Sequence, residues 1–266
     1  MNQYNSGEIL YGNDFDIHQI EQWYKEEEEA YAQLEGVSVT SDSFSYTNLD
    51  SIFGFLKLPQ SRFYNVLGLG ASWGFEFLPI IDKIDALTIV ESSDYTKSKQ
   101  LRNIVPTYLK ANVSGAIDAK DSSFDLVTCF CVLHHIPNVS FVISELIRVL
   151  SVEGCLLIRE PIHSMGDWSS KRTGLTKNER GIHYKLLEQF IDQAGGEIVH
   201  KNYHFFMYSF LKRLFGNPQF LNTKWYLKMD NFLSHLFLWN FHYHPQNKWQ
   251  RVAPQLVYYI IKKKKC

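Results

Sequence analysis

The stretch Asn65-Val66-Leu67-Gly68-Leu69-Gly70-Ala71-Ser72-Trp73-Gly74 reads as a short apolar strand running into a glycine-rich turn. Glycine at such a turn lets backbone amides come close to a ligand and accepts positive φ. Glu91 stands 21 residues after Gly70, at the end of the next apolar run. An acid there can accept hydrogen bonds from both hydroxyls of a ribose. The pair predicts a nucleoside-bearing ligand cradled by Gly68, Gly70, Ala71, Ser72 and Gly74, with Glu91 and Ser92 opposite. Nicotinamide cofactors use the same two features, so the rest of the chain has to choose between them.

The elements that would position these residues follow from periodicity. Residues 15–34 carry Ile17, Ile20, Trp23, Tyr24, Tyr31 and Leu34 around the acidic run 26–29, an amphipathic helical pattern. A second helical pattern, 49–58, ends at Pro59. Beyond it, short apolar runs at 63–69, 86–90, 108–113, 124–130, 155–159, 197–205 and 256–261 read as strands. Helical stretches at 75–81, 139–150 and 186–194 lie between them. That alternation is the signature of a parallel α/β sheet. Residues 206–255, rich in aromatic side chains, are too long for a structureless loop and are expected to hold one or two helices.

Composition bounds the function. The chain has 266 residues and a formal net charge of −1, so no global field draws it to nucleic acid. The basic run 262–265 reads as a solvated tail. Cys129, Cys131 and Cys155 sit in apolar, core-like runs, which suits reduced thiols and a cytoplasmic protein. The first ten residues lack a signal-peptide pattern, and no run reaches the 18 apolar residues that an integral membrane segment needs.

The deciding residues are Phe124-Asp125-Leu126-Val127, Leu133-His134-His135, Glu145-Leu146-Ile147-Arg148-Val149-Leu150, and Gly154 leading into Cys155-Leu156-Leu157-Ile158. With them the chain resembles class I S-adenosylmethionine-dependent methyltransferases over about residues 62–205. The segments Arg159-Glu160-Pro161, Ser164-Met165-Gly166-Asp167-Trp168 and 174–181 resemble a bacterial subset linked to surface polysaccharides. The resemblance implies a doubly wound, Rossmann-like α/β sheet of seven mostly parallel strands with an antiparallel last strand. It implies an N-terminal helical extension over 1–60 and a methyltransferase domain over 61–266, with a helical insertion about 206–255 before the last strand.

The resemblance implies S-adenosyl-L-methionine as cofactor, with Asp118 on adenine and with Phe130 and Cys131 beside the transferable methyl. The family usually has an acid where Gly68 stands and a glycine where Ser72 stands; Glu76 is the candidate replacement for the acid. The expected reaction is methyl transfer, at oxygen, to a small-molecule or saccharide acceptor. His135 is the preferred base, because imidazole titrates near neutral pH; His134, Glu160, His163 and His183 are alternates. His134, His135, Glu160 and Asp167 show no tight ligand spacing, so no metal is expected. The segment 163–183 reads as a lid. A homo-oligomer is compatible with the sequence, and a catalytically silent cofactor-binding partner subunit is the alternative reading.

Overall fold

The structure is a computed structural model that describes residues 2–34, 46–92, 97–166, 172, 175–216 and 219–264. Three helices come first: α1 (Asn2–Asn5), α2 (Ile17–Leu34) and α3 (Thr47–Phe53). Then follow β1 (Phe63–Leu69), β2 (Ile84–Glu91), β3 (Thr107–Lys110), β4 (Phe124–Phe130), α4 (Val139–Val149) and β5 (Leu150–Pro161). The chain closes with α5 (Tyr184–Gln193), β6 (Gly196–His204), α6 (Tyr208–Phe215), α7 (Lys224–Leu236) and β7 (Leu256–Lys263).

The seven strands form one sheet in the order β3-β2-β1-β4-β5-β7-β6. All neighbours are parallel except β7, which runs antiparallel between β5 and β6. The fold is Rossmann-like, as expected. β4 is buried along almost its whole length, as a parallel strand covered on both faces must be. Its Asp125 turns back to accept hydrogen bonds from Tyr64 N (2.7 Å) and Asn65 N (3.0 Å), fixing the start of β1. On one face α4 buries Val139, Val142, Ile143, Leu146 and Ile147, the spacing of a helix stripe. The other face packs α3 and α7 residues over Val66, Leu126 and Leu157. The chain moves outward from β1 to β3 and then crosses to β4. The carboxyl ends of β1 and β4 therefore flank the switch point where ligands of open α/β sheets bind.

Three expected elements differ. The helix expected over 75–81 is absent; two single 3₁₀ turns, Phe75–Phe77 and Ile81–Lys83, replace it. Gly74 is left-handed (φ 74°), and Pro79 removes a donor from what would be the second turn. The glycine turn consequently has no helix N-terminus behind it. The helical pattern 49–58 breaks at Gly54, where a Cβ would lie 2.1 Å from the Tyr258 hydroxyl. The turn expected at 151–154 is instead a register shift inside the longer strand β5.

Candidate active site

The loop after β1 is shaped by crowding. Gly70 has φ 63°, and a Cβ on it would come within 2.6 Å of Val132. A Cβ on Gly68 would meet Ala71 at 2.7 Å and Phe77 at 3.0 Å. That explains the absent acid: Phe77 occupies the space an acidic side chain would need. Gly68 pairs in register with Thr128 of β4, whose hydroxyl donates to Glu76 Oε1 at 2.5 Å. The Glu76 carboxyl thus sits beside the strand position that lacks one. Desolvation pushes its pKa up to about 7, against the hydrogen bond from Thr128.

Glu91 ends β2, buried at the mouth of the crevice. One carboxylate oxygen accepts from Ser72 N (3.1 Å) and lies 3.4 Å from Ser72 Oγ; the other accepts from Ser92 N (2.8 Å). It joins the glycine turn to the chain after β2. Ser92 Oγ lies 3.3 Å from that second oxygen, so both oxygens are already engaged by the two serines.

On the far side, the loop after β3 is held by the Glu-x-x-Arg spacing of α4. Glu145 accepts from Ile117 N (2.8 Å), while Arg148 donates to the carbonyls of Ile117 and Ala119 (both 2.8 Å) and to Asp121. The motif residues thus position a loop and do no chemistry. Asp118 projects from that loop into solvent.

The end of β4 is strained and densely bonded. Cys131 adopts φ 57°, and burial pushes its thiol up to about 12, favouring the neutral thiol. Phe130 packs on Phe55 and Tyr258, 6.4 and 5.7 Å between centroids, and forms part of the floor. Arg159 reaches Cys131 Sγ (3.3 Å), pairs with Asp50 of α3 (2.9 Å) and stacks over Tyr46 (4.0 Å). The N-terminal helices therefore help build this side of the crevice.

His134 and His135 lie in the turn after β4, ring centroids 4.1 Å apart. His134 Nδ1 is 2.7 Å from Glu160 Oε2, and its Nε2 faces Glu179 at 3.7 Å. Glu160 is fully buried and also accepts from Val132 N and Leu133 N, both at 2.8 Å. With three partners and no exposure, Glu160 braces the turn that carries the two histidines. His135 Nδ1 lies 3.2 Å from Glu27 of α2, and Trp23 Nε1 donates to the His135 carbonyl (2.8 Å). Burial, then the neighbouring His134, pull the His135 pKa below the ordinary imidazole value, so its neutral form prevails at pH 7. Donor atoms of His134, His135 and Glu179 fall within 4.8 Å of one another, a grouping that could hold a cation and that residue spacing did not reveal.

Arg180 is wholly buried beneath this turn. Its guanidinium donates to the carbonyls of Tyr11, His134, Ile136 and Pro137 at 2.9–3.2 Å, with that of Leu133 at 3.4 Å. His183 is committed elsewhere, its Nδ1 accepting from Lys185 N to cap α5. His163 has a buried Nδ1 without a partner among the described residues. Of the expected lid, 167–171 and 173–174, Asp167 included, lie outside the described residues. Glu27, Asp50, Arg159, Glu179 and Arg180 were given no role at the site from sequence. The contacts that bring them to this site, Glu27–His135, Asp50–Arg159, Glu179–His134 and Arg180 with its carbonyls, span 43–169 residues, beyond any local pattern.

The sequence between residues 67 and 158 matches the family model described as a methyltransferase domain, about a third of the chain. No curated protein matches. Among solved structures, the YcgJ protein from Bacillus subtilis is 16% identical, with a TM-score of 0.52 over 83% of this chain and 100% of that one. An S-adenosylmethionine-dependent methyltransferase from Mesorhizobium loti is 12% identical, with a TM-score of 0.51 over 78% and 94%. The [4+2]-cyclase SpnF is 13% identical, with a TM-score of 0.54 over 86% of each chain. At these identities the structural likeness speaks to fold alone.

Proposed function

We propose that this chain, a methyltransferase of the class I S-adenosylmethionine-dependent type, methylates a hydroxyl of a small-molecule or saccharide acceptor. The observation that carries the reading is the His135–Glu27 pair, set in the turn that ends β4 at the switch point of the sheet. Two features support the cofactor reading: Gly70, at positive φ and packed against Val132, lets the turn after β1 close tightly, and Glu91 ends β2 at the place a ribose would lie. Ser72 and Ser92 flank Glu91, and Ala71 and Gly74 complete the turn. Asp118 is the acid assigned to adenine. When bound, the cofactor would supply an electrophilic methyl on a sulfonium, which passes to the acceptor oxygen as the carbon–sulfur bond breaks and a neutral thioether leaves.

The protein's part is to orient the acceptor and take its proton. Glu27 accepts from His135 Nδ1–H, which sets the tautomer that leaves Nε2 as the basic nitrogen. The acceptor hydroxyl gives its proton to that nitrogen as the oxygen forms its new bond to carbon. His134, fixed by Glu160, backs the His135 ring.

His135→Ala is expected to lower methyl transfer by about a hundredfold or more, with cofactor affinity by calorimetry unchanged. The assay is labelled-methyl transfer from S-adenosylmethionine onto a panel of hydroxylated small molecules and saccharides. Equal turnover by the variant would remove His135 from the mechanism. Cofactor binding by the natural chain with no transfer to any acceptor would favour the silent partner subunit.

Glu76 is proposed to face the methionine ammonium in place of the absent acid. With its pKa raised to about 7, the carboxyl is partly protonated at pH 7. An ammonium beside it favours the ionised form, so binding should release a fraction of a proton per site. Calorimetry at pH 7 in buffers of different ionisation enthalpy reads this directly, and Glu76→Gln should abolish the buffer dependence. A buffer dependence that survives in Glu76→Gln would place the titrating group elsewhere.

A further inference from the structure

Helix α7 exposes an apolar stripe in addition to the face it buries. Tyr226, Leu227, Asp230 and Ser234 face inward. Trp225, Met229, Phe232 and Leu236 are all exposed. Their spacing of four, three and four residues places them within about 60° of one another around the helix axis. On α6, Phe210 and Leu214 repeat the pattern one turn apart, and Phe215, Phe220 and Trp239 add further exposed rings. Single exposed apolar residues are ordinary, but a periodic exposed stripe on successive helices marks a surface that meets something apolar.

Charge identifies the partner. Residues 206–255 hold six Lys and Arg and a single acid, Asp230, in a chain whose net charge is −1. Asp230 is buried and spends its carboxylate on Phe205 N (2.7 Å) and Phe206 N (3.0 Å). Lys212, Arg213, Lys224, Lys228, Lys248 and Arg251 are exposed. Lys224 and Lys228 lie on the flank of the α7 stripe, within about 100° of Phe232. Tryptophan and phenylalanine beside lysine on a helix face, with no exposed acid, is the pattern of a helix lying in a membrane interface. No helix among the described residues is long and apolar enough to cross a membrane.

We propose that α6 and α7 form a docking face for an anionic lipid bilayer, with Trp225, Met229, Phe232 and Leu236 inserted at headgroup depth and Lys224 and Lys228 against lipid phosphates. A second copy of this chain would meet the same cations and be repelled by them. The face shares no residue with the crevice at the end of β1 and β4, so the proposal stands apart from the reading of that site.

The test is flotation of the full chain with vesicles of phosphatidylcholine, with and without phosphatidylglycerol. Retention is expected on the anionic vesicles only. It should fall about tenfold or more in Met229→Asp/Phe232→Asp and in Lys224→Gln/Lys228→Gln, with cofactor affinity kept as the control for folding. Quenching of Trp225 fluorescence by brominated acyl chains, lost in Trp225→Phe, would place the stripe in the lipid. Three results would overturn the proposal: no retention at low salt, retention indifferent to Met229→Asp/Phe232→Asp, or a dimer in sedimentation that this variant dissolves.

Discussion

Glu91→Ala is expected to weaken S-adenosylmethionine binding by about a hundredfold. A hydrogen bond to a charged group contributes about 1.5–3 kcal/mol, and a ribose would offer two to this carboxylate. The same substitution releases Ser72 N and Ser92 N, so part of the loss would come from a looser glycine turn. Glu91→Gln separates the two effects. Its amide oxygen still accepts from one backbone N–H, and affinity should recover part of the way. Calorimetric titration with S-adenosylhomocysteine is the measurement, with apo-protein unfolding run beside it. A Kd unchanged in Glu91→Ala would exclude this residue from the cofactor site.

Arg180→Met is expected to be the most destabilising single change at the crevice, costing about 3–5 kcal/mol. The methionine fills much of the volume but donates nothing to the carbonyls of Tyr11, His134, Ile136 and Pro137. Burial already pulls the guanidinium pKa down to about 10, a sign of how little water reaches it. At this chain length the loss corresponds to a melting temperature lower by roughly 10 °C. Arg180→Lys should fall between, because an ammonium cannot span carbonyls the way a planar fork does. Thermal unfolding by circular dichroism decides the matter; a shift under about 2 °C would show that water replaces the lost donors. Turnover should fall with stability here, since this residue holds the turn that carries His135.

The order in which strands and helices alternate was legible from one chain because apolar periodicity is a local property. So was the segment 124–158, whose motif residues proved to be structural: Asp125 fixes the start of β1, while Glu145 and Arg148 fix the loop after β3. The helix read over 75–81 failed because its apolar pattern outweighed the proline inside it. Gly68 stood out as a departure from the family pattern, and only packing against Phe77 accounts for it.

What surrounds the histidines could not be read the same way. Glu27 looked like one acid among four in a solvated run, yet α2 folds over the sheet and buries it against His135. Glu160 read as an alternate base, and the fold encloses it fully as a brace for the histidine turn. A carboxylate's role depends on whether it meets water, backbone amides or an imidazole, and those neighbours arrive from other elements, 26–28 residues away for Glu160 and 108 for Glu27. The sequence alone determined the glycine turn, Glu91 and the paired histidines at the ends of adjacent strands. Tertiary structure decided which groups hold the crevice and which face into it, because burial and hydrogen bonding across the chain are set only when the sheet closes.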